Sequence, residues 1–175
     1  MSWSRRRVLG HAFVAAAAAL PGCGFRPMFG RRGRGGDVVD DLAAIGIDPV
    51  ADRIGQSLRN DLIERLTPFG EPRYPRYRLS VRVQRSSQPL AIQADTTITR
   101  YNLHIEVSFT LTDVETGAAL YRGRARTVGS YNAVRSDFAT LSAEQDTTRR
   151  AVREASDEVR TLLSVFFSRR RQAAG

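Results

Sequence analysis

The chain has 175 residues and a mass of 19.4 kDa, with 27 Lys+Arg against 18 Asp+Glu and a formal charge of +9, which leaves room for one domain. All 27 basic residues are Arg, so reactions that need a lysine, such as Schiff-base formation or phosphate cradling by a P-loop lysine, are excluded. A composition of 42% hydrophobic and 26% charged residues is that of a chain able to bury roughly 68–70% of its unfolded surface, and a pI near 11.0 asks for an anionic partner.

Arg5, Arg6 and Arg7 precede the apolar run Ala12 to Leu20, and Leu20-Pro21-Gly22-Cys23 follows at once. This is the pattern of an export signal, and the apolar run is well short of the ~20 residues that a membrane span requires. Cys23 is the only cysteine and stands where a bacterial lipoprotein signal places the residue that is acylated. The expectation is therefore that residues 1–22 are removed and Cys23 carries lipid. Three Arg and no acid leave with the signal, so 153 residues remain at a formal charge of +6. Ser4 to Leu9 suits the general and the twin-arginine export routes alike. Gly24, in place of the Asp that holds enterobacterial lipoproteins at the inner membrane, points to the outer membrane.

Residues 23–42 read as a tether, since Gly30 to Gly36 contains only Gly and Arg and can bury no apolar surface. The domain is expected over 43–168. Ile45-Gly46-Ile47 forms a short strand, and Asp48 followed by Pro49 suits a helix start, as N-cap and first helical residue. Ile54, Leu58, Leu62 and Leu66 recur every fourth residue to a stop at Pro68, an amphipathic helix, with Gly55 on its inner side for close approach to a sheet. Prolines at 68, 72 and 75 make the next stretch a loop.

Period-two alternation then takes over. Tyr77, Leu79, Val81 and Val83 alternate with Arg78, Ser80, Arg82 and Gln84, and Tyr101, Leu103, Ile105, Val107, Phe109 and Leu111 alternate with Arg100, Asn102, His104, Glu106, Ser108 and Thr110. Turn residues from Asp113 to Gly117 lead into a returning arm, Leu120 to Ala133, with Tyr121, Gly123, Ala125, Thr127 and Tyr131 inward and Arg122, Arg124 and Arg126 outward. After Ser136 as N-cap, Phe138, Leu141, Gln145, Thr148, Val152, Ala155, Val159, Leu162 and Phe166 step by threes and fours, predicting a long helix that ends near Phe167. Residues 169–175 are left as a polar tail. Strand, helix, three strands and helix in that order make an α+β fold, a small four-stranded sheet with two helices packed on one face.

With the apolar set under the helices, the opposite face gathers Arg78, Arg82, Arg100, Arg122, Arg124 and Arg126 with only Glu106 against them. Strand and residue spacings of about 4.8 and 6.8 Å put neighbouring guanidiniums within a Debye length of about 8 Å. Such a face suits phosphate, which the planar arginine fork binds through two hydrogen bonds. In an exported protein the phosphate carriers are lipids and lipopolysaccharide, not nucleic acid. His104, Glu106 and Ser108 share a strand face, but the ~6.8 Å steps between them do not suit proton transfer. Neither metal-ligand spacing nor a phosphate loop is visible, so no metal, cofactor or enzyme activity is expected.

The segment Cys23-Gly24-Phe25-Arg26-Pro27-Met28-Phe29-Gly30 resembles the mature start of the lipopolysaccharide-assembly lipoprotein family LptE, in its alphaproteobacterial form. The resemblance continues through Ile47-Asp48-Pro49, Asp52-Arg53-Ile54-Gly55-Gln56, Leu58-Arg59-Asn60, Tyr77-Arg78-Leu79, Tyr131-Asn132 and Ser136-Asp137-Phe138-Ala139. It implies a two-helix, four-stranded α+β plug in the lumen of the outer-membrane β-barrel LptD. There the family helps assemble the barrel and deliver lipopolysaccharide to the cell surface, with basic residues of the sheet region implicated in lipopolysaccharide contact. A lipoprotein pilot for another outer-membrane channel, and a periplasmic hydrolase built on His104, are the competing readings.

Overall fold

A computed structural model describes residues 38–92 and 99–174. Cys23 and the expected signal and tether up to residue 37 lie outside the described residues. The elements in chain order are α1 (Val38–Ala43), β1 (Ile45–Ile47), α2 (Arg53–Leu66), β2 (Tyr77–Ile92), β3 (Thr99–Asp113), β4 (Ala119–Ala133) and α3 (Asp137–Ala174). The strands form one sheet in the order β1-β2-β3-β4, with β1 parallel to β2 and the other pairs antiparallel. This is the expected α+β class, with one short helix added at the start.

The alternation is realised as written. Tyr77, Leu79, Leu103, Ile105, Val107, Phe109, Leu111 and Ala125 are buried on the helix side, where α2 supplies Leu58, Leu62 and Leu66 and α3 supplies Val152, Val159, Leu163 and Phe167. Val38 and Leu42 of α1 join this core, so ordered structure begins ahead of residue 43.

Several expected boundaries move. The N-cap of α2 is Asp52, not Asp48: its Oδ1 accepts the Gly55 N–H at 2.8 Å, which satisfies an otherwise orphaned helix donor. Gly55 is required by this turn rather than by the sheet, because a Cβ there would lie 2.2 Å from Val50 Cγ1. β2 runs past Gln84 to Ile92 through continued pairing with β3, with an irregularity between Pro89 and Ala91. Residues 84–90 are exposed, so this half of the strand carries no hydrophobic period, and β1 pairs only residues 77–79, which leaves Pro89 on an open edge where it is tolerated.

α3 continues to Ala174, about 57 Å at 1.5 Å per residue. Arg169 to Arg171 extend the helix rather than forming a tail, as strong helix formers placed where the macrodipole favours cations. Arg171 also donates from Nε to Asp41 Oδ2 at 2.7 Å, tying α3 to α1. The buried seam of α3 is rotated from the expected stripe: Phe138 and Leu141 are 81% and 53% exposed, while Thr147, Ala151, Val152, Ala155, Ser156, Val159, Leu163, Ser164 and Phe167 are buried. Small residues meet small residues here. A Cβ on Gly129 of β4 would sit 2.4 Å from Thr147 Cγ2, and one on Gly123 would sit 2.4 Å from the Phe109 ring. The Ser156 and Ser164 hydroxyls donate to the carbonyls of Val152 and Arg160, which satisfies both inside the packed seam.

Candidate ligand-facing sheet surface

The sheet face turned away from the helices carries all six arginines singled out in the sequence, but the register sorts them. Arg82, Ser108 and Arg124 lie across three strands in one row, and Ser80, Thr110 and Arg122 in the next. Together they line a cleft of about 390 Å³. Three guanidiniums and the hydroxyls of Ser108 and Thr110 offer donors over a span of about 10 Å, two strand spacings, while the Ser80 hydroxyl donates to Asp48. Among the described residues, Arg82 and Arg122 have no acidic partner within ion-pair distance.

The other three arginines are arranged differently. Arg126 donates from Nε to Glu106 at 3.0 Å, and Arg124 lies 3.7 Å from the same carboxylate. Arg78 lies 3.4 Å from Asp48, which also accepts the Ser80 hydroxyl at 2.6 Å. Asp48, freed from the capping role expected of it, is thus a second acid on a face where Glu106 alone was expected. Arg100 stands six residues along β3 from Glu106, about 20 Å away and beyond the Debye length. It lines a separate cleft with Ser130, Asn132, Asp146 and Arg150. The structure therefore brings Arg82, Arg122 and Arg124 together, neutralises Arg78, Arg126 and, more weakly, Arg124 in part, and sets Arg100 apart.

Sequence reasoning placed part of the polar floor beside this cradle outward but missed Ser86 and Gln88. Gln84, Ser86, Gln88, His104, Glu106 and Arg126 line a shallow groove of about 690 Å³. The signal was present in the parity of β2, since these positions continue the outward set of Arg78, Ser80 and Arg82, but the loss of apolar partners at residues 84–90 hid the strand. His104, Glu106 and Ser108 do not assemble a proton relay: the Glu106 carboxylate is engaged by two arginines. Among the described residues no group of three or more His, Cys, Asp or Glu could hold a metal ion, and no helix is long and apolar enough to cross a membrane.

The family model for LptE, described as lipopolysaccharide-assembly, matches residues 40–163, the span from α1 to the buried seam of α3. The chain belongs to the LptE family. Membership places its work in lipopolysaccharide assembly. It is also similar to an uncharacterized protein of Rickettsia prowazekii strain Madrid E, 26% identical over 130 residues, 74% of this chain and 81% of that one. Among solved structures, a candidate lipoprotein from Caulobacter crescentus CB15 superposes with a TM-score of 0.63 at 23% identity, over 75% of this chain and 96% of that one. Rare lipoprotein B from Shewanella oneidensis does so with a TM-score of 0.53 at 12% identity, over 75% and 97%. These two likenesses show a shared fold.

Proposed function

We propose that the mature chain is an outer-membrane lipoprotein, acylated at Cys23 and facing the periplasm, that plugs an LptD-like β-barrel and contacts lipopolysaccharide through the Arg82, Arg122 and Arg124 cradle. The observation that carries the contact is this block of three cations with the Ser108 and Thr110 hydroxyls, two of whose arginines lack an acidic partner among the described residues. Phosphate on a glycolipid headgroup accepts several charge-assisted hydrogen bonds at once, each worth about 1.5–3 kcal/mol. The adjoining groove of amide, hydroxyl and imidazole groups suits sugar hydroxyls. Its role is binding and shape rather than catalysis, and a polar-surfaced domain fits a barrel whose interior is polar.

Replacing Arg82, Arg122 and Arg124 with Gln should weaken lipopolysaccharide binding at low salt by roughly tenfold or more without loss of the folded circular-dichroism spectrum. Unchanged affinity would remove the cradle from the reading. Co-purification from membranes should give one barrel chain per lipoprotein; a ring of many copies would favour the pilot reading instead.

A further inference from the structure

The last turns of α3 carry a second stripe at the margin of the core, packed against it on one side and open on the other. Leu162, Val165, Phe166, Arg169 and Arg170 follow one another at steps of three, one, three and one, the spacing of a single helical face, beside the buried seam of Val159, Leu163 and Phe167. With Tyr121 of β4 they line an open groove of about 320 Å³. Its apolar members are half-buried, the Tyr121 and Phe166 rings stack at 5.0 Å, and its only charged members are the two arginines at one end.

We propose that this groove is a bilayer-resting surface, with Leu162, Val165 and Phe166 meeting the acyl boundary and Arg169 and Arg170 the phosphates of anionic phospholipids. Two observations choose lipid over another occupant. An apolar strip ending in arginines is the pattern of an interfacial helix, and each arginine near an anionic leaflet adds about 1 kcal/mol. The chain also leaves the described structure at this end: Asp41 of α1 is paired with Arg171, and Asp41, Arg170 and Arg171 share a small neighbouring cavity with Arg76. From Val38 back to Cys23 the chain can span at most about 50 Å, so an acylated Cys23 would hold this end near a membrane. The intervening segment is itself an unsuitable occupant, because its arginines at 26, 31, 32 and 34 would face Arg169 and Arg170.

The inference rests on acylation of Cys23, and the test separates the two. The mature lipoprotein carrying Val165→Cys as its single free thiol is spin-labelled and reconstituted, without any barrel protein, in vesicles of phosphatidylethanolamine with phosphatidylglycerol or of phosphatidylcholine alone. The label should be shielded from a water-soluble nickel chelate in the anionic vesicles and exposed in the neutral ones, and a label at Ser142→Cys, exposed near the start of α3, should stay exposed in both. Arg169→Gln and Arg170→Gln should each reduce partition of the domain onto the surface roughly fivefold. Equal exposure of position 165 in both vesicles overturns the proposal, as does shielding that follows protein concentration rather than lipid charge, which would mean a second copy. Intact-mass measurement reports acylation independently: a chain without lipid defeats the lipoprotein reading, and the same label, with vesicles added to the unanchored chain, still decides the surface.

Discussion

Asp113 shows how one side chain fixes a turn. It accepts the Glu115 and Thr116 N–H groups at 3.0 and 3.1 Å, closing the β3–β4 connection whose Gly117 has φ +69°. The Thr116 N–H, followed by that of Glu115 and the Thr116 hydroxyl, holds the carboxyl below the usual carboxylate range. Because the folded pKa is depressed, the stabilisation is present above the unfolded value and is lost as pH falls through the folded one. Thermal midpoints measured against pH should therefore decline on the acid side, and Asp113→Asn should remove that part of the decline. Gly123 illustrates the steric counterpart. With the Phe109 ring 2.4 Å from a would-be Cβ and packed edge-on against Tyr121, Gly123→Ala should cost about 1–3 kcal/mol in denaturant unfolding. The Asp52 cap is worth about 1 kcal/mol, which Asp52→Ala should remove.

At the scale of elements, α3 is two helices in energetic terms. From Thr147 to Phe167 it is bound by a seam of small and aliphatic residues, and by Thr127 donating to the Ala151 carbonyl and Glu158 accepting the Arg126 N–H of the outer strand. From Asp137 to Asp146 every residue is exposed or only partly buried; the contact across to β2 there is Arg85 donating to Glu144 at 2.8 Å, a surface pair worth less than about 1 kcal/mol. Amide exchange should be faster in the first ten residues than in the seam. Leu163→Ala should destabilise by about 2–5 kcal/mol, while Leu141→Ala should change stability by less than about 0.5 kcal/mol. The expected stripe holds at Val152, Ala155 and Val159 but fails at Phe138 and Leu141: apolar spacing marks a helix face, but between the aliphatic positions the seam is filled by Thr147, Ala151, Ser156 and Ser164, which carry almost no hydrophobic signal.

For the whole molecule, the register decides which arginines stand together. If the cradle holds lipopolysaccharide as proposed, Arg100→Gln should leave the affinity near that of the parent chain, because Arg100 lies eight residues, about 27 Å, along β3 from Ser108 of the cradle, while the triple cradle variant loses it; equal losses would mean that the face acts by diffuse charge alone. The sequence by itself determined the class of fold, since a switch of hydrophobic period from 3.6 to 2 and back leaves few ways to bury the apolar sets. It determined which side of each strand faces outward for the same reason. Only the tertiary structure decided which outward residues become neighbours. That depends on strand order and pairing register, on Asp52 rather than Asp48 winning the capping role, and on how closely a helix of small residues can lie against β4. Strand order, register and helix approach are contacts between positions far apart in the chain, which no local pattern of side chains encodes, while the cap is a local contest between two aspartates four residues apart.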